Sequence, residues 1–185
     1  MEWVVLGVVV LVILYLVMVY NRLVALRQTT HQAWADVDVQ LKQRHDLVPN
    51  LVETVKGYAG HERQTLEQVV AARNAAVAAN GPAEAGVAEA ALSGALGRIF
   101  ALAESYPDLK AATNFLELQR DLSDLENKIA AARRFFNNAV AEFNAAIEQV
   151  PAVFFAGTLG FRARPFFEVG AEERKAVEAA PRVSF

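Results

Sequence analysis

The chain has 185 residues, long enough for one domain with a real core. Its hydrophobic content of 54% and mean hydropathy of +0.21 are high for a soluble domain and point to a membrane segment. A net charge of −3 argues against a diffuse grip on nucleic acid, and the absence of Cys excludes disulfides, thiolate zinc sites and cysteine nucleophiles.

The first predicted element is Trp3 to Tyr20, WVVLGVVVLVILYLVMVY, which carries no charge. Its length of ~27 Å is just short of the hydrocarbon core, and Leu23 and Val24 can extend it. Its Val, Leu and Ile together favour insertion by about 5 kcal/mol. Trp3 and Tyr20 sit where interfacial anchors belong, and Arg22 follows at the headgroup level. A secretory signal peptide is the alternative. It is disfavoured because no basic region precedes the run and no small-x-small cleavage site follows it. Lys and Arg are missing before the span, while Arg22 and Arg27 follow. That asymmetry puts the N-terminus outside and the bulk of the chain in the cytoplasm.

From Asn21 to Val150 the composition favours helix, with no strand alternation. The first segment places Leu23, Leu26, Thr30, Ala33, Trp34, Val37 and Leu41 on one face. Pro49 must then kink or end a helix. Asn50 and Glu53 have capping-box spacing, which favours a new start. The apolar phase Leu41, Val48, Val52, Val55, Ala59 runs straight through, which favours a kink at Pro49 and a turn near Gly57–His61. Asn80-Gly81-Pro82 ends the next helix. A third is expected from about Val87 to Ser105. Pro107 and Asp108 signal the start of the last, with Asp108 as cap. In that last helix Phe115, Leu118, Leu122, Leu125, Ile129, Ala132, Phe136, Ala139, Phe143, Ala146 and Val150 keep a 4-3 spacing, the seam of a coiled coil.

The expected fold class is all-α: an N-terminal transmembrane helix, then an antiparallel four-helix bundle with long first and last helices. The expected division is 1–20 anchor, 21–150 bundle, 151–169 Phe-rich segment and 170–185 polar tail. An even number of antiparallel helices returns the chain to the membrane end, so the Phe-rich segment is delivered there. That segment, PAVFFAGTLGFRARPFFEV, holds five of the eleven Phe. It can close the end of the bundle, touch the bilayer or meet another subunit. The candidate contact residues are Phe154, Phe155, Phe161, Arg162, Arg164, Phe166 and Phe167. Arg162 and Arg164 can pair with anionic headgroups, each contributing about 1 kcal/mol. The terminal Val183-Ser184-Phe185 has the hydrophobic–x–hydrophobic pattern of strand-adding C-termini, which makes Val183 and Phe185 a candidate partner tail.

Candidate chemistry is sparse. His31, His45 and His61 form neither a Glu-x-x-His nor a His-x-x-x-His pair, and partly exposed helical histidines are the plainer reading. DLSDLENK reads as an ordinary solvated helix face. Ser93 lacks the strand–turn–helix setting of a nucleophile elbow, and GTLGFR lacks the Lys of a phosphate loop. No catalytic constellation emerges, and no metal or cofactor is expected.

The stretches YNRLVALRQTTHQAWADVDVQLKQRHDLVPNLVETVKGYAGHE, LSGALGRIFALAESYPDLKA, NFLELQRDLSDLENKIAAARRFFNNAVAEFNAAIE and GFRARPFFE resemble the LemA family of bacterial membrane proteins, in order and with the same spacing. The resemblance covers most of Tyr20 to Glu168. It implies a single N-terminal anchor, a helical bundle and no enzyme activity, at the bacterial cytoplasmic membrane. Together these readings predict a membrane-anchored, self-associating scaffold whose partners are the lipid bilayer and further copies of itself. An adaptor for a membrane protease or sensor, engaged through the bundle face or the Val183–Phe185 terminus, is the alternative.

Overall fold

The computed structural model describes residues 1–168. Among them there is no strand. Five α-helices follow one another: α1 Glu2–Ala59, α2 Arg63–Ala78, α3 Gly81–Ala103, α4 Pro107–Ala111 and α5 Thr113–Glu148, with a single 3-10 turn at Ala152–Phe154. The chain divides into two compact units. One comprises 1–36 with 132–166, the other 37–131 with 167–168.

In the second unit α1 continues through Pro49 and ends at Ala59, so no new helix starts at Asn50, and the turn falls at Gly60 and His61, within the expected Gly57–His61. Pro49 is exposed, and its missing N–H leaves the carbonyl of His45, four residues earlier, without its helical donor. Arg73 Nε of α2 donates to that carbonyl at 3.1 Å. The core joins Val48, Leu51 and Val55 of α1 to Leu66 and Val69 of α2, Leu92 and Ile99 of α3, Leu109 of α4 and Phe115 of α5. Gly81 (φ 77°) adopts a left-handed conformation costly for a residue with Cβ. It reverses the chain in one step, so α3 starts there with Pro82 in its first turn, six residues before the expected Val87. Gly86, buried on α3, lies against the backbone of Glu168, where an added Cβ would clash with the carbonyl oxygen.

Two boundaries near α4 differ from expectation. The Pro107 start gives only the single turn of α4, because Ala112 is extended (φ −68°, ψ 125°). Asp108 lies inside that turn; the N-cap residue is Tyr106 and makes no side-chain cap. The long helix starts anew at Thr113. Its seam is buried at Phe115, Leu122, Leu125, Ile129, Phe136 and Phe143, as the spacing requires, while Val150 lies beyond the helix end and is exposed.

In the first unit the apolar run of α1 is exposed along its length until Val19 and Tyr20, which touch the Phe143–Phe161 cluster. Its most apolar 18-residue window is 0% buried. Immediately after it, Leu23 packs with Phe143 and Ala146 of α5 and with Ala152, Ala156 and Phe161 of the following segment. Deeper along the two helices Trp34 meets Phe136, ring centroids 5.3 Å apart. Helix α3 is also long and apolar enough to cross a membrane by length and composition, but Leu92, Ala95, Leu96 and Ile99 are buried in the core of the second unit.

Candidate functional site

The Phe-rich segment is built by its own backbone. After the 3-10 turn, Gly160 (φ 77°) turns the chain so that the Phe161 N–H reaches the Ala156 carbonyl at 2.9 Å. Phe161 is thereby driven inward. It meets Tyr20 edge-on at 5.7 Å, meets Phe143 at 6.4 Å, and carries the Arg27 guanidinium over its face at 5.0 Å. Arg164 follows. The Asn144 amide clasps its backbone, donating from Nδ2 to the Arg164 carbonyl at 3.0 Å and accepting the Arg164 N–H at 2.8 Å. Its guanidinium lies over Phe143 and donates from Nη2 to His31 Nε2 at 2.8 Å. A guanidinium only donates, so Nε2 of His31 holds a lone pair and the ring proton is on Nδ1. Desolvation, then the charges of Arg164 and Arg27, hold His31 below the usual histidine range.

The predicted contact residues thus separate. Phe154 is 78% exposed, and Val150, Val153, Leu159 and Arg162 are open with it. Phe155 and Arg164 are half-buried, Phe166 is at the edge of exposure, and Phe161 and Phe167 are buried inside the chain. Trp3, Tyr20 and Arg22 are exposed along and just after the apolar run. Val183 and Phe185 lie outside the described residues.

A second polar assembly lies in the core of the other unit. Arg44, 2% exposed, donates to Glu89, to Ser93 Oγ at 3.0 Å and to Glu126 Oε2 at 2.5 Å. His45 Nε2 meets the second Glu89 oxygen at 2.5 Å. Burial of Glu89 opposes its ionisation, but the His45 hydrogen bond and the Arg44 charge outweigh it and hold the carboxyl below the usual range. A carboxylate only accepts, so His45 donates from Nε2. His45 is buried, where a partly exposed helical histidine was expected. Ser93 is a partner of Arg44. These residues were legible in part: Leu41, Arg44, Val48 and Ala85, Glu89, Leu92 keep the 3-4 spacing of buried positions, with opposite charges on the two helices. No group of three or more His, Asp or Glu among the described residues is placed to hold a metal ion.

The LemA family model matches residues 33–185. The chain is 25% identical over 178 residues to the magnetosome protein MamQ of Magnetospirillum gryphiswaldense, covering 82% of this chain and 65% of that protein. It is 25% identical over 179 residues to MamQ 2 of Paramagnetospirillum magneticum, covering 83% and 66%. It is 30% identical over 110 residues to a LemA protein of Metamycoplasma hominis, covering 57% and 49%. The match therefore spans just under two thirds of the length of the MamQ relatives.

Proposed function

Because the chain belongs to the LemA family, we propose that it is a non-enzymatic, single-pass helical scaffold of a bacterial cytoplasmic membrane, tethered by Trp3–Tyr20 with its helical part in the cytoplasm. The observation that carries this reading is the continuity of α1. Among the described residues its most apolar window is wholly unburied, and its other half is a core helix. In water that unpartnered run is an association hazard; in a bilayer it is an anchor. The similarity to MamQ and LemA proteins supports membrane association. The four long helical stretches suit an antiparallel bundle, with the α5 seam also available for self-association.

The exposed Val153, Phe154 and Leu159 lie in the segment that packs against Leu23 and Tyr20, where the span ends. That continuity supports lipid as their contact. Arg162 and Phe166 are exposed as well, while the buried Phe161 holds the segment against Tyr20 and Phe143.

Membrane fractionation tests the anchor. The full chain should stay in the pellet through alkaline carbonate extraction, and a chain in which Leu11 and Leu14 become Arg should be released. Release of the unaltered chain would overturn the reading. Chemical cross-linking in the same membranes should yield dimers or larger species; a strict monomer would sink the self-associating part. An adaptor role remains the second reading, favoured by the exposed Val70, Val77 and Val87 on α2 and α3. It requires that changing these to Ser, or removing Val183–Phe185, abolish capture of a membrane protein without unfolding the chain.

A further inference from the structure

We infer that Arg27, His31 and Arg164 form a binding site for a phosphate group. Three cationic or proton-accepting side chains converge there. Arg27 and His31 lie four residues apart on one face of α1, and Arg164 is set by the clasp of Asn144. Among the described residues no carboxylate comes within salt-bridge distance of any of the three. The two guanidiniums are close enough to oppose one another. Desolvation and then the Arg27 charge hold Arg164 below the usual arginine range, and both arginines act on His31. Both also rest on aromatic faces, Arg27 on Phe161 and Arg164 on Phe143. Those rings fix the cations, while the charge is left for an anion to neutralise.

Several other basic side chains do have carboxylate partners. Arg44 is paired with Glu89 and Glu126, Lys56 with Glu53, Lys110 with Glu104 and Arg120 with Asp121. The Arg27–His31–Arg164 group instead gathers two arginines that act on one another and on one histidine. A phosphate oxygen seated between the guanidiniums relieves their repulsion. It also competes for the Arg164 N–H that now occupies His31 Nε2, and the adjacent negative charge then favours a proton on that nitrogen. Anion binding and His31 protonation are thus coupled.

Two sources supply the same chemistry: the headgroup of an anionic phospholipid, or a soluble phosphate. Arg27 covers Phe161, which itself touches Tyr20 at the end of the apolar run, so the group lies within reach of the headgroup layer. The lipid source rests on the anchored reading; the site itself does not.

The test uses the full chain in detergent micelles with ring-labelled histidine. The three histidines are assigned by substituting each in turn, and their titration is followed by NMR. Saturating dihexanoyl phosphatidylglycerol should make His31 titrate about one pH unit higher, a tenfold change, with His45 and His61 unmoved. The zwitterionic phosphatidylcholine analogue should have little effect. The rise should vanish in R27Q/R164Q and survive in R98Q, at an exposed arginine of α3. A response to phosphatidylglycerol but not to inorganic phosphate assigns the lipid headgroup; a response to inorganic phosphate assigns a soluble ligand. Failure of all three probes to move His31 overturns the site, as does an equal shift persisting in R27Q/R164Q. Carbonate extraction reports on the anchor separately, so either reading can fail alone.

Discussion

Glu89 is the residue on which the interior of the second unit turns. It offers one oxygen to Arg44 and the other to His45, and it is itself almost fully buried. Replacing it by Ala leaves Arg44 buried with only the exposed Glu126 and Ser93 as partners. We expect Glu89→Ala to destabilise the chain by about 3 kcal/mol, read as a lowered urea midpoint of the detergent-solubilised chain. Replacing Arg44 and Glu89 together by Leu should restore much of that, since no charge is then stranded. The pH dependence has a definite sign. The folded-state pKa of Glu89 is lowered from an ordinary 4.5, so its contribution is fully present above that value. It is lost as pH falls through the lowered folded value. A variant with Gln at 89 should lack this acid-limb loss, and an unchanged acid limb would refute the assignment.

At the scale of elements, a proline inside a helix is compensated from outside it. The carbonyl of His45 loses its donor to Pro49 and gains Arg73 from the next helix. Arg73→Met should therefore strand a backbone acceptor at a cost of about 1–3 kcal/mol. In a Pro49→Ala background the helix supplies its own N–H, and the same substitution should cost less. A double-mutant cycle should give a coupling of about 1 kcal/mol; additive effects would show that Arg73 does not serve this carbonyl. Beyond the end of α1 the Glu62 N–H donates to the Ala59 carbonyl at 3.0 Å, and the Glu62 carboxylate accepts from the Tyr106 hydroxyl at 3.2 Å.

At the scale of the whole molecule, topology is the open question that the anchored reading makes testable. The chain has no Cys, so a single one can be introduced without background. Val87 is 69% exposed on α3. In intact spheroplasts Val87→Cys should resist a membrane-impermeant maleimide, and it should react once the membrane is opened. Labelling of intact cells would place the helical part outside and reverse the orientation drawn from Arg22 and Arg27. The segment 151–161 would keep its place beside the end of the span in either case.

What the sequence by itself determined was whatever local periodicity can express. An 18-residue uncharged run has few destinations, a 4-3 seam over α5 fixes its buried face, and Asn80-Gly81-Pro82 cannot continue a helix. The distribution of the Phe-rich segment was decided by tertiary structure, since five aromatics without period give no inward face until Gly160 turns Phe161 onto Tyr20 and Phe143. The same holds for the charges. Arg44 and Glu89 announce themselves locally as ions on apolar phases, yet their pairing spans 45 residues. Arg164 reaches His31 across 133. Periodicity along one helix constrains which face is buried; which charge meets which depends on packing between distant segments, and that is set only when the chain has folded.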